Sequence, residues 1–518
     1  MKQSNGIFRL KKFFLPEGFA ILLFCLFANA LYLKMAYLTS FRPMDYGGSQ
    51  DLAWRFLCGQ KFYTDVFYNA GPIFPVTLAF FIKLFGFGKV AVLFHLLFTS
   101  SLYILFVYEI ARKHLPLPIT FLLCLAAATF HWFYPFPNYI HDAYLWGLVA
   151  VWALAGRNPF TSSRNVYWSF FVCGLFVVLS CFTKHNIGVP YGLAVLAAAA
   201  FSGERTSSLS GFFLGGALAS IMVIFFLIPD LHAFFYDNIF SYLAQEQERW
   251  AAFLSFRGFF AGFYWIIALV CFAAVYPFLR ELANSAALTA GVVFASYFSH
   301  HTNTAKPITH LPLLMAFVLL FKVKDENFRK SVRFRTALVL LVLLGLGQVI
   351  PSVYSSLQYQ KALRAKNTYS IQAAPLAGWR SEPDWGVAMD YFVDKINRFV
   401  PKNETLLMLD KMQIIYPLTG RESFKGVLFH FFTYAIQKSI SLRQQTYDAV
   451  VRNPPDWIVT GYQVTGSISN PDNPSEPFLV TLPYDVLVHL LGLEDFISAN
   501  YQLIDSMAGY AIFRKKTI

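Results

Sequence analysis

The feature that most limits this chain is a series of apolar segments separated by short loops. They fall near 17–38, 88–110, 116–131, 142–156, 166–182, 187–202, 208–229, 258–278, 284–299, 307–322 and 336–351. About 20 apolar residues cross a bilayer as a helix, and a helix satisfies its own backbone N–H and C=O groups there. A water-soluble interior has no room for this much apolar surface. Of 518 residues, 56% are hydrophobic and only 14% charged, against about 25% charged in ordinary soluble domains. The sequence therefore predicts a polytopic α-helical membrane protein of about eleven spans, followed by a soluble α/β domain.

Charge placement sets the expected orientation. The net charge is +13, and Arg112, Lys113, Arg157, Arg164, Arg205, Arg280 and the run from Lys322 to Arg335 occupy alternate loops. The positive-inside rule puts those loops in the cytoplasm, and no basic stripe suggests nucleic acid as a partner. Arg9, Lys11 and Lys12 precede the first apolar run. Ala28-Asn29-Ala30 has the small residues of a signal-peptidase site but lies inside that run, so an uncleaved first span with a cytoplasmic N-terminus is expected. An odd number of spans then carries the C-terminal part outside. Segment 72–86 is short and Pro-containing, with Lys83 near its end, and is expected as a helix on the outer membrane surface. The six cysteines form no CxxC pair, so neither a structural zinc site nor a disulfide framework is expected.

From Pro351 onward the pattern changes. Strands are expected at 404–409, 456–460, 501–505 and 509–514, alternating with helices at 384–398, 428–447 and 480–498. The expected organisation is a membrane catalytic domain over 1–351, with outer-surface helices within 39–87, and an α/β domain over 352–518 on the outer face.

The first outer loop, RPMDYGGSQDLAWRFLCGQKFYTDVFYNAGPIFP over 42–75, carries the most chemistry. Asp45 follows the first span, and an amphipathic helix is expected from Ser49 to Leu57. A carboxylate at the membrane surface can take a proton from an acceptor hydroxyl or amine while a glycosyl–phosphate bond breaks. It can equally hold a divalent cation or simply cap the nearby helix; no cofactor is otherwise implied, and the metal question stays open. Asp142, in HWFYPFPNYIHDAYLW over 131–146, stands where the third span turns into the fourth. An acidic residue is costly there unless solvated or used, and capping the fourth span is its plainer role. Lys184, His185, Arg249, Arg257, His300, His301, Lys306 and His310 recur on the outer side, against the topology rule. A lipid phosphate would compensate them, and snorkelling at span ends is the alternative. The histidines lack the regular spacing of a metal site on one helix.

Taken in order, these pieces resemble the GT-C superfamily of membrane glycosyltransferases, especially the bacterial group related to protein O-mannosyltransferases and aminoarabinose transferases. The resemblance rests on Asp45 after the first span and on the run from Ala53 through Gly59 and Tyr63 to Asp65. It continues through the segment from Gly71-Pro72 to Lys83-Leu84-Phe85-Gly86, then Thr183-Lys184, His310-Leu311-Pro312, and Tyr416-Pro417-Leu418-Thr419-Gly420-Arg421. It implies a polyprenyl-phosphate sugar donor, inverting transfer at the outer face and no nucleotide sugar. By it Asp45 is the catalytic carboxylate, Asp142 a second acidic site residue, and Lys184 and Lys306 are candidate phosphate contacts, to which His301 and Arg257 are added. Tyr46, Asp65 and Asn69 are candidates for binding the acceptor or sugar. Tyr46 stands where many relatives have Glu, and Gly71-Pro72 where many have Lys-Pro or Pro-Pro, which bears on metal use and on the phosphate contact. The expected partners are a polyprenyl-phosphate-linked sugar, a glycan, lipid or protein acceptor, and membrane lipid, in the bacterial inner (plasma) membrane and serving the cell envelope.

Two other classes compete. A transporter would place ionisable residues mid-span, in two related halves, whereas here they gather at one face and no repeat is evident. A non-enzymatic envelope assembly factor would leave Asp45 dispensable.

Overall fold

The computed structural model describes residues 16–37, 47–68, 70–113, 115–132, 135–155, 163–200, 202–235, 332–409, 412–428, 440–461, 488–489, 491–507 and 510–517. In chain order the first elements are α1 (Pro16–Tyr37), α2 (Gly48–Leu57), β1 (Val66–Phe67), α3 (Ile73–Phe85) and α4 (Lys89–Ala111). A run of helices follows: α5 (Leu117–Trp132), α6 (Tyr139–Ala155), α7 (Ser163–Cys181), α8 (His185–Ala200), α9 (Arg205–Leu227) and α10 (Leu231–Phe235). After the long helix α11 (Val332–Lys366) come β2 (Tyr369–Ser370), β3 (Arg380–Ser381), α12 (Pro383–Phe399), β4 (Leu406–Leu409), α13 (Ile415–Thr419) and β5 (Val427–Leu428). The last are α14 (Ile440–Arg452), β6 (Trp457–Gly461), α15 (Glu494–Asn500), β7 (Tyr501–Met507) and β8 (Tyr510–Lys515).

The apolar segments expected at 258–278, 284–299 and 307–322 lie outside the described residues. The other expected segments are all helical, and all but the last end within a few residues of the bounds read from the sequence. Among the described residues three helices are long and apolar enough to cross a membrane: Gly18–Ala36, Lys89–Ala111 and Arg205–Leu227, with mean hydropathies of 1.9, 2.2 and 2.1. Leu117–Thr129 and Asn165–Cys181 are apolar but shorter. Helix α11 runs well past the expected end at 351, because nothing after Pro351 breaks it until Asn367.

The described residues form two compact units. The first takes α1, α5–α8 and most of α4, α9 and α11. Its core is built from Cys25, Ile104, Val107, Leu123, Ala127, Leu145, Ala150, Cys173 and Val195, all buried. Small residues let backbones touch. A Cβ at Gly215 of α9 would lie 2.0 Å from the Phe171 carbonyl of α7, and one at Gly174 of α7 would lie 2.1 Å from the Phe212 carbonyl. Between apolar helices in lipid there is no hydrophobic drive, so such close approach supplies the packing energy. On α9, Phe213, Leu214, Ile221, Phe225 and Phe226 are exposed. Polar bonds join α1 to its neighbours: Asn29 Nδ2 donates to Ser100 Oγ at 2.8 Å, and Trp132 Nε1 donates to Asn29 Oδ1 at 3.2 Å.

The second unit takes α2, β1, α3, α10 and the elements from β2 onward. Its sheet has the order β4-β6-β8-β7, with β4 and β6 parallel and the other pairs antiparallel. Strand β4 reads Leu-Leu-Met-Leu and is buried at every position, as a strand covered on both faces must be. The four strands fall where the sequence predicts them. The helix expected over 428–447 does not start there. Val427 and Leu428 instead pair in parallel with Val66 and Phe67; residues 429–439 lie outside the described residues, and Ile440–Arg452 is helical. Two β-branched or aromatic residues beside two aliphatic ones suit an extended pair better than a helical turn after Gly426, whose φ is 78°.

The 416–421 motif is explained by this unit. Tyr416 is buried, and its hydroxyl oxygen accepts from Met408 N at 2.8 Å, anchoring β4. Burial pushes its phenol up from the ordinary value. Gly420, at φ 66°, is the left-handed cap that ends α13. Arg421 then turns back, donating to the Ile396 carbonyl at 3.0 Å, to the Val400 carbonyl, and to Asn397 Oδ1 at 3.2 Å. A guanidinium there places its charge at the negative end of α12 and adds donors to the carbonyls of its last turn.

Candidate active site

In the first unit one end of the bundle carries a set of buried polar residues. Helix α6 starts at Tyr139 because Asn138 caps it, its Oδ1 accepting from Ile140 N at 2.8 Å. The capping role open to Asp142 is therefore filled by another residue. Asp142 lies one turn inside and reaches across to α4, where its Oδ2 is 3.2 Å from His95 Nε2. Both side chains are 1% exposed. A bond of this length needs one proton between Nε2 and Oδ2. His141 precedes Asp142 on α6, and its ring and that of His131 on α5 have centroids 4.4 Å apart, both buried. Tyr103 of α4 meets His131 edge to face at 6.0 Å.

Lys184 belongs to the same end. Its carbonyl accepts from Ile187 N and Gly188 N, so it forms the α7–α8 corner. Gly188 permits that corner: a Cβ there would lie 2.2 Å from Cys181 N. The Lys184 ammonium is 4.8 Å from the centre of the Tyr139 ring, on the first turn of α6, and the residue is 2% exposed. A snorkelling lysine carries its charge outward into water or head-groups; this one is enclosed by protein. Ser180 Oγ donates to the Ala143 carbonyl at 2.8 Å and ties the corner to α6. Asp142 and Lys184, far apart in sequence, thus both belong to the first turn of α6 and its surroundings.

In the second unit the loop helix α2 is bound to the chain around 421–424. Arg55 is fully buried. It donates to Asp51 Oδ2 at 2.7 Å, to Gln60 Oε1 at 3.1 Å and to the Phe424 carbonyl at 2.7 Å. Asp51 Oδ1 accepts from Ser423 Oγ at 2.6 Å, and Trp54 Nε1 donates to the Arg421 carbonyl at 2.9 Å. Burial raises the Asp51 carboxyl above its ordinary range, and Arg55 opposes that shift. Asp65 closes a local turn: its Oδ2 accepts from Lys61 N at 2.9 Å, and its carbonyl accepts from Gly426 N at 2.7 Å. Gly47 occupies the position before α2 and packs on Ile414. Asp45, Tyr46, Asn69, Arg257, His301 and Lys306 lie outside the described residues. Among the described residues no cluster of three His, Cys, Asp or Glu side chains is arranged to hold a metal ion.

Sequence reading singled out Asp142 and Lys184 but passed over His95, the residue that bonds Asp142. The available signal was an ionisable side chain well inside an apolar helix, costly in lipid unless it has a partner. Arg55 and Asp51 were missed because a four-residue spacing on an amphipathic helix reads as an ordinary surface pair.

No protein-family model matches the sequence, and no curated protein matches it. Solved structures do. The chain is similar to ArnT from Cupriavidus metallidurans bound to undecaprenyl phosphate, at 12% identity and a TM-score of 0.50, over 96% of this chain and 97% of that one. ArnT from the same organism in the apo state matches at 12% identity and a TM-score of 0.45, over 93% and 97%. The Archaeoglobus fulgidus oligosaccharyltransferase tethered with an acceptor peptide matches at 11% and 0.44, over 88% and 70%. At such identities the likeness is one of fold. Nearly the whole chain therefore shares the fold of ArnT.

Proposed function

We propose that this protein is an inverting membrane glycosyltransferase that moves a sugar from a polyprenyl-phosphate carrier to an acceptor at the outer face of the membrane. The observation that carries this reading is the full-length fold likeness to ArnT bound to undecaprenyl phosphate. In this reading the chain crosses the inner membrane about eleven times, and residues 352–518 form an α/β domain outside. A sugar on a long prenyl chain must be met in the bilayer, whereas a polar acceptor arrives from water. An acceptor hydroxyl or amine attacks the anomeric carbon, the bond from that carbon to the phosphate oxygen breaks, and the phosphate leaves with the electron pair. Asp45 takes the acceptor proton, with Asp142 as the second acidic residue. Lys184, Lys306, His301 and Arg257 neutralise the leaving phosphate, and Tyr46, Asp65 and Asn69 orient the acceptor or sugar.

The test is consumption of a carrier-linked sugar. Purified protein in nanodiscs is mixed with prenyl-phosphate sugars extracted from host membranes, and each is followed by mass spectrometry. Loss of one donor with release of free polyprenyl phosphate is expected; no donor consumed with any acceptor fraction would overturn the reading. In that assay Lys184→Ala and Lys306→Ala should each weaken donor use about tenfold or more, because a charge-assisted hydrogen bond is lost. Unchanged donor dependence in both variants would remove them from the phosphate site.

Orientation is tested separately. A cysteine introduced as Ser467→Cys should react with an impermeant thiol reagent added outside intact cells. Labelling only after lysis would move 352–518, and the reaction, to the cytoplasmic side.

A further inference from the structure

The Asp142 carboxylate is held by an imidazole that neither the sequence motifs nor the fold likeness points to. His95 sits on α4 and Asp142 on α6, both 1% exposed, with Nε2 and Oδ2 3.2 Å apart. Asn138 caps α6, and the Asp142 side chain reaches across to α4 instead of capping its own helix end. The rings of His131 on α5 and His141 on α6 have centroids 4.4 Å apart and are tilted by 43°. The first turn of α6 also carries Tyr139, whose ring face lies 4.8 Å from the Lys184 ammonium. One turn of helix is thus the common reference for an acidic and a basic group named above as site residues.

We propose that His95 is a positioning residue for the transfer reaction, fixing the Asp142 carboxylate through the Nε2–Oδ2 bond. The inference rests on the glycosyltransferase reading. Dielectric and distance explain why the bond matters. A carboxylate withdrawn from water keeps a single direction only if a donor holds it, and a misplacement of about 1 Å at a reacting group can cost on the order of 100-fold in rate. His95 does not touch the reacting atoms in this proposal; it acts through Asp142.

The chemistry supplies a discriminating pair of variants. A glutamine places its amide nitrogen where the imidazole Nε2 stands, whereas asparagine places it where Nδ1 stands, one bond short of Asp142. Full-length protein in nanodiscs, given the prenyl-phosphate sugars extracted from host membranes, should therefore keep turnover within about threefold in His95→Gln. It should lose about tenfold or more in His95→Asn, the range for losing a hydrogen bond to a charged group. The loss should appear in kcat with KM for the donor unchanged, and undecaprenyl phosphate should bind all three proteins alike. Equal activity in the Asn variant, or a loss confined to KM, would overturn the proposal. So would a loss shared by Gln and Asn in step with a lowered Tm, which marks a purely structural bond. A second measurement needs no turnover. The infrared difference between wild type and Asp142→Asn marks the Asp142 carboxyl band, and that band should move in His95→Asn but not in His95→Gln. A band indifferent to His95 sinks the proposal by itself. A responsive band in a protein that consumes no donor would instead refute the glycosyltransferase reading and leave the pair standing.

Discussion

Asp45→Asn is expected to abolish sugar transfer while leaving expression and membrane insertion intact. Asparagine is isosteric but cannot take a proton, so the acceptor loses its base at the moment the glycosyl–phosphate bond breaks. A positioned general base contributes about 100- to 10,000-fold, and the loss should be of that size. The isosteric exchange is expected to cost little stability, within about 0.5 kcal/mol. Turnover in nanodiscs, compared with membrane yield and Tm, checks both halves. Wild-type turnover in Asp45→Asn would take the residue out of the mechanism, and a joint collapse of yield and activity would assign it to folding. Asp45 lies outside the described residues, so this prediction stands on its place in the first loop and on the GT-C resemblance.

The second large effect is on folding. Arg55→Leu removes a fully buried guanidinium that serves Asp51, Gln60 and the Phe424 carbonyl together. Leucine fills part of the volume but leaves Asp51 buried without its cation, and breaking such a pair costs about 3–5 kcal/mol. Chemical denaturation followed by Trp fluorescence should show the loss. The variant also carries a pH signature. Burial already raises the Asp51 carboxyl, and Arg55 is the partner that lowers it; without Arg55 it rises further. A carboxyl whose folded value lies above its unfolded one binds its proton more tightly when folded. Stability then increases as pH falls through the raised value and levels off below the ordinary carboxylate value. Arg55→Leu should therefore recover part of its deficit on mild acidification, and a deficit independent of pH would show that Asp51 is not what the arginine sustains.

What could be read from the sequence follows the range of the forces involved. Apolar length is a local property, and it located α1, α4 and α9 to within a few residues. Alternation and aliphatic runs located β4, β6, β7 and β8 for the same reason. The amphipathic helix expected from Ser49 to Leu57 is α2, Gly48–Leu57. Pairing is not local. Nothing near Val427 announces that it will lie beside Val66, and a two-residue strand is too short to show a period. His95 and Asp142 are 47 positions apart, and each reads singly as an awkward polar residue in an apolar stretch. The capping of α6 was misleading for another reason: Asn138 and Asp142 are both competent caps by type, and only the hydrogen bond to Ile140 N separates them.

The bond between Arg55 and the Phe424 carbonyl joins residues 369 positions apart. At about 5–20 residues added per second during synthesis, roughly 20–70 s pass between the emergence of α2 and that of the segment that completes its surroundings. Through that interval Asp51 and Arg55 have only each other, Gln60 and water, and β1 lacks its partner β5. The first loop must therefore be made early and finished late. A ribosome that stops before Ser423 leaves α2 without the Ser423 hydroxyl and the Phe424 carbonyl, so in such truncated chains its charged pair is met only by Gln60 and solvent.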